Sequence, residues 1–165
     1  MGEKLEQLIS AWALLGGVLL IAIVLVTTLN VGAFTLDRAA RLMGTTVAGL
    51  PGYEDFVRLA ISAVGLMFFP YCQLRRGHVN VDLFAQHFPH VVQRILDALW
   101  LVVTAVMAVG LAGYMVLGLQ EAKSDHVVSP VLGWPEWPFY APGIISLILW
   151  AIVALYQIAQ GKRHG

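Results

Sequence analysis

Five histidines, one cysteine and the serines at 62 and 146 are the residues whose types could carry out chemistry in this chain. Haem ligation would need histidines inside apolar helices, yet His78, His87, His90, His126 and His164 all stand near charged or proline-rich segments. His87 and His90 could suggest a metal pair, but Pro89 separates them and no third ligand accompanies them, so they read better as residues at a lipid interface. Ser62 and Ser146 have no histidine on the same stretch and no Gly-x-Ser-x-Gly setting. They suit small packing residues that bond back to their own helix. Cys72 stands alone, which permits neither an intrachain disulfide nor a thiolate cluster, and reads as a small buried hydrophobe. The sequence assigns no catalytic residue, no metal and no cofactor.

What must position these residues is an apolar scaffold. Of 165 residues, 59% are hydrophobic and 12% charged, against about 25% charged in an ordinary soluble domain. The charges divide the chain, leaving uncharged runs of 30, 16, 23 and 25 residues at 7–36, 59–74, 98–120 and 137–161. At ~20 residues per bilayer crossing, each can be one span; the short second run reaches that length if Arg58 lifts its guanidinium to the interface. The expectation is an all-α integral membrane protein, a single domain with spans at about 11–30, 54–74, 98–119 and 139–159. The first is too long for a signal-peptide core of roughly 7–15 residues and reads as a retained helix. A formal net charge of zero, with no basic block longer than Arg75-Arg76, argues against nucleic acid as a partner.

Connectors carry the remaining signals. After Thr27, Thr28 and Asn30 the segment with Asp37, Arg38 and Arg41 reads as a short amphipathic turn on the membrane surface. Pro51-Gly52 then breaks the chain, and Tyr53-Glu54-Asp55 places two carboxylates in a helix's first turn, where they complement its dipole. Pro70 should kink the second span by opposing the Leu66 carbonyl. Between the second and third spans, Leu83, Phe84, Phe88, Val91, Val92, Ile95 and Leu96 recur at helical intervals around Pro89, predicting a broken amphipathic interfacial helix. Ala105, Ala108 and Ala112 share a face of the third span, a candidate packing seam. Trp134, Trp137 and Tyr140 suit the headgroup level.

With four spans, the termini and the middle connector share one side. That side carries Lys4, Arg75, Arg76, Arg94, Lys162 and Arg163; the other has Arg38, Arg41 and Lys123. The excess places both termini in the cytoplasm.

Beyond Arg75, a stop-transfer anchor by type, the run Arg76-Gly77-His78-Val79-Asn80-Val81-Asp82-Leu83 resembles the signature of the small membrane subunit of tripartite ATP-independent periplasmic (TRAP) transporters, the DctQ-like family. Gly52-Tyr53-Glu54-Asp55 is similar to the start of that family's second helix, Pro70 matches a helix-end proline, and Ser129-Pro130 through Trp137 resembles the approach to the last helix. The likeness runs from Trp12 to Tyr156. It departs at Phe34 to Pro51, longer than is usual there, and at Asn30 to Phe34, which lacks the arginine often found at that helix end. The resemblance implies a bacterial inner-membrane subunit that is no enzyme. It would be a scaffold pairing with a large membrane subunit that takes up an organic acid on a sodium gradient, fed by a periplasmic substrate-binding protein. A membrane anchor or haem-binding electron-transfer subunit of a respiratory complex is the second reading, resting on four spans and interfacial histidines.

Overall fold

The computed structural model describes residues 2–75 and 89–161, and among these the only β-type pairing is an isolated bridge between Val128 and Pro135. Helix α1 covers Gly2–Arg41, α2 Tyr53–Met67, α3 Phe69–Leu74, α4 His90–Ser124 and α5 Tyr140–Gly161, with a 3₁₀ turn at Trp137–Phe139 opening into α5. Counting α2 and α3 as one broken span, four helices among the described residues are long and apolar enough to cross a membrane. The all-α, four-span architecture is as expected.

The first connector differs from expectation. Residues 31–41 form no separate surface turn but continue α1, because the segment has no proline and is rich in good helix formers, with Arg41 bonding Asp37 at 2.8 Å one turn back. The helix stops only at Gly44, whose φ of +75° lets its own N–H reach the Arg41 carbonyl and the Thr45 N–H reach that of Ala40. Thereafter the chain doubles back along α1. The Val47 N–H donates to Asp37 Oδ1 at 2.9 Å and the Leu50 N–H to Asn30 Oδ1 at 2.9 Å, so residues 45–50 form a strap returning to the level of Asn30. Asn30 is fully buried under it, a structural anchor where the sequence suggested a polar exit.

Pro70 interrupts the second span near its far end, at the Leu66 carbonyl it was expected to oppose. Lacking an N–H for the Leu66 carbonyl, it ends α2 at Met67, and Pro70 falls in the first turn of α3, where the Cys72 N–H resumes the ladder on the Phe68 carbonyl at 2.9 Å. Farther on, Pro89 starts α4, its φ of −55° already suited to a helix. The half of the amphipathic segment that follows Pro89 is therefore the opening of α4, continuous with the third span; the half at 76–88 lies outside the described residues.

The helices stand in an open row ordered α1, α2 with α3, α5, α4; the two outer helices have no extensive contact with each other. Small residues set the spacing. A methyl on Gly16 would stand 3.0 Å from Met67 Cβ, and one on Gly143 would overlap Met115 and crowd Leu66. Ile23, Ala60 and Val64 form the buried centre of the α1–α2 seam, flanked by Leu19, Phe56, Val57 and Phe68. Ala105, Ala108 and Ala112 are buried where α4 lies on α5, the most extensive helix pairing in the chain.

Candidate functional site

The helix start at 52–55 and the segment 129–137, far apart in sequence, meet in space. Gly52 holds φ +75°, and a side-chain carbon there would lie 2.6 Å from the Leu132 side chain, so the approach needs glycine on both counts. Asp55, 6% exposed, accepts from the Val131 and Leu132 N–H groups through Oδ2 at 2.8 and 3.0 Å. One turn on, Arg58 pairs with Glu136. Tyr53 donates to Glu54 Oε1 at 3.1 Å and sets its ring edge-on to Phe34, while Glu54 stays exposed.

The connector is shaped to be held this way. The Ser129 N–H donates to the Trp134 carbonyl at 2.8 Å, the Gly133 N–H to the Ser129 carbonyl at 3.0 Å, and the Trp134 N–H to Ser129 Oγ at 3.1 Å, closing a tight loop around a buried serine. Its tip presents two N–H groups that Asp55 caps. At its root, His126 sits at φ +52°, where a helix C-terminus ordinarily takes glycine. The Val127 N–H closes that terminus on the Ala122 carbonyl at 3.0 Å, and Lys123 lies over the Trp137 ring, 5.5 Å from its centroid.

At the other end of the second span the polar contacts are neutral. Gln73, 7% exposed, donates through Nε2 to Gln157 Oε1 at 2.8 Å, while Gln157 Nε2 donates to the Gln73 carbonyl at 2.8 Å. Trp150 Nε1 donates to Gln73 Oε1 at 3.1 Å, and its ring stands edge-on to Phe69. Just beyond, Arg75 lies over the Tyr71 ring and reaches Glu6 at 3.2 Å. Arg76, Gly77, His78, Val79, Asn80, Val81 and Asp82 lie outside the described residues. Midway, Trp12 Nε1 donates to Ser146 Oγ at 2.9 Å, and that hydroxyl bonds back to the Pro142 carbonyl at 2.6 Å. Ser62 likewise bonds back to the Arg58 carbonyl, at 3.3 Å.

Sequence reasoning looked for charges within the spans and so passed over Gln73, Gln157 and Trp12, whose signal was a neutral donor or acceptor within an otherwise apolar run. None of these groups offers a nucleophile beside a base. Their arrangement fixes helices and connectors against one another. Residues 31–164 match the family described as Tripartite ATP-independent periplasmic transporters, DctQ component. The chain belongs to that family. It is thus the small membrane subunit of a TRAP transporter, a multi-pass protein of the inner membrane. No curated protein and no solved structure matches it.

Proposed function

We propose that this DctQ component is a non-catalytic scaffold that pairs with the large membrane subunit, in a symporter taking up an organic acid on an ion gradient with a periplasmic binding protein. The observation that carries the reading is the internal use of its polar groups. Asp55, Gln73, Gln157 and Ser146 are each bonded within the chain, so a moving substrate would find these partners already taken. An open row of helices with both outer members largely exposed supports a part built to be covered by others. Both termini and the Arg75–Asp82 signature face the cytoplasm in this reading, supported by the basic residues on that side. The loop at 126–136, docked on Gly52–Asp55, then faces the periplasm. Family membership does not favour a respiratory anchor.

The test is genetic and topological. Deleting the chain should abolish uptake of one organic acid, and the tagged chain should bring the large subunit with it from solubilised membranes. Full uptake without it would overturn the scaffold role. In a Cys72→Ser background, Asn80→Cys should resist an impermeant thiol reagent added only from the periplasmic side; labelling there would reverse the topology.

A further inference from the structure

Where α4 gives way to the loop, Lys123, His126, Val127, Val128, Pro135 and Trp137 line a partly open cavity of about 280 Å³. That is just below the roughly 300–1,000 Å³ of sites for drug-sized ligands, and suits a small group. Its level in the membrane follows from the antiparallel packing of α4 on α5. Gly118 lies beside Tyr140, so three residues along each chain Glu121, the first charge beyond the apolar run, is level with Trp137. Lys123 stands two residues farther, about 3 Å at 1.5 Å per residue, within a headgroup layer ~5–8 Å deep.

The polar groups of this cavity differ in kind. Lys123 makes no ion pair among the described residues; its ammonium, poised over the Trp137 ring, keeps N–H donors for an anion. His126 meets the Ser124 carbonyl through Nδ1 at 2.9 Å. A carbonyl only accepts, so Nδ1 carries the proton and the neutral ring keeps Nε2 as an acceptor. The histidine holds this pose at φ +52°, a conformation that glycine would adopt without strain. Of the neighbouring carboxylates, Glu121 and Asp125 are exposed and Glu136 is held by Arg58. One cavity at headgroup level thus offers a cation together with a neutral acceptor.

We propose that it binds the headgroup of a phospholipid carrying a primary ammonium, of the phosphatidylethanolamine type. Lys123 donates to a phosphodiester oxygen, the lipid ammonium donates to His126 Nε2, and Val127, Val128 and Pro135 meet the glycerol and the first methylenes. The mostly apolar lining and the level in the membrane commit the site to a lipid rather than a soluble phosphate ester. Phosphatidylcholine carries the same charges, but its quaternary ammonium has no N–H to give Nε2, so the two lipids differ in the one contact that His126 makes.

The test uses the full tagged chain, stripped of lipid in detergent and offered both lipids in equal amount with identical acyl chains. Native mass spectrometry should find phosphatidylethanolamine retained over phosphatidylcholine by about threefold or more, as one net hydrogen bond supplies. His126→Gly, which relaxes the backbone at that position, should bring the ratio to one. Lys123→Met should lower retention of both lipids by similar factors, roughly threefold or more, because both present the phosphodiester. Equal retention of the two lipids by the unaltered chain, a preference that survives His126→Gly, or retention untouched by Lys123→Met overturns the proposal. Displacement of the lipid by an equal concentration of glycerophosphoethanolamine, which lacks the acyl chains, also overturns it by making the cavity a site for a soluble ester.

Discussion

At the start of α2 a carboxylate accepts two backbone N–H groups from a distant loop, whereas at the end of α3 two neutral amides and an indole bond one another. Both contacts fasten the second span to the part of the chain around α5. The difference follows from where water is. Asp55 lies two residues into its helix, next to the exposed Glu54, where a charge keeps a low-cost route to solvent and gains from the helix N-terminus. Gln73 lies in an apolar run, where an ionised group would cost several times more, and reciprocal amide bonding satisfies donor and acceptor without charge.

The largest effect that could break this comparison is at Asp55. Asp55→Ala leaves the Val131 and Leu132 N–H groups without their charged acceptor, and at roughly 1.5–3 kcal/mol per charge-assisted bond, less what water restores, the loss is about 3 kcal/mol. Unfolding of the protein in detergent should show it, with Asp55→Asn about half as damaging because a neutral acceptor remains. Gln73→Leu comes next. It removes the bonds to Gln157 Oε1 and from Trp150 Nε1, and at about 0.6 kcal/mol per bond in membrane interiors, rarely above ~1.7, the expected cost is 1–2 kcal/mol by the same unfolding measurement. A Gln73→Leu cost above that of Asp55→Ala would mean that the neutral clamp, not the carboxylate, dominates.

Legibility in the sequence divides along the same line. Charge-free runs disclosed four spans because the cost of burying charge is large and local, and Pro51-Gly52 with Glu54 and Asp55 disclosed the start of α2 because helix termini obey short-range rules. That Asp55 would meet Val131 could not be read, since 76 positions separate them and the bond depends on how α5 returns beside α2. The continuation of α1 through residues 31–41 was missed for another reason. Thr27, Thr28 and Asn30 look like an exit, but polarity alone does not end a helix, and the stop signal that does is Gly44. The row order of the helices depends on small residues such as Gly16 and Gly143, whose partners no periodicity names.

The smallest expected effect concerns the strap, beyond the apolar zone. Asp37 holds the strap by accepting the Val47 N–H, and that bond first, then the bond from Arg41, lowers its carboxyl below the ordinary 3.8. A carboxylate whose pKa is lowered on folding contributes fully above the ordinary value and loses that contribution as pH falls through the folded one. The strap should therefore stay docked from neutral pH down to about the ordinary value and loosen only below it. A spin label on Thr46→Cys, in the Cys72→Ser background, should become mobile in that acidic window. Adding Asp37→Asn should remove the pH step and leave an intermediate mobility at every pH, because the amide still accepts the Val47 N–H but no longer attracts Arg41. The site is partly exposed and its ion pair screened, so the stability of the whole protein should hardly move. A strap that stayed docked through that acidic window would instead put its anchorage on Asn30 and Leu50, making a neutral amide the decisive contact at this end of the molecule as well.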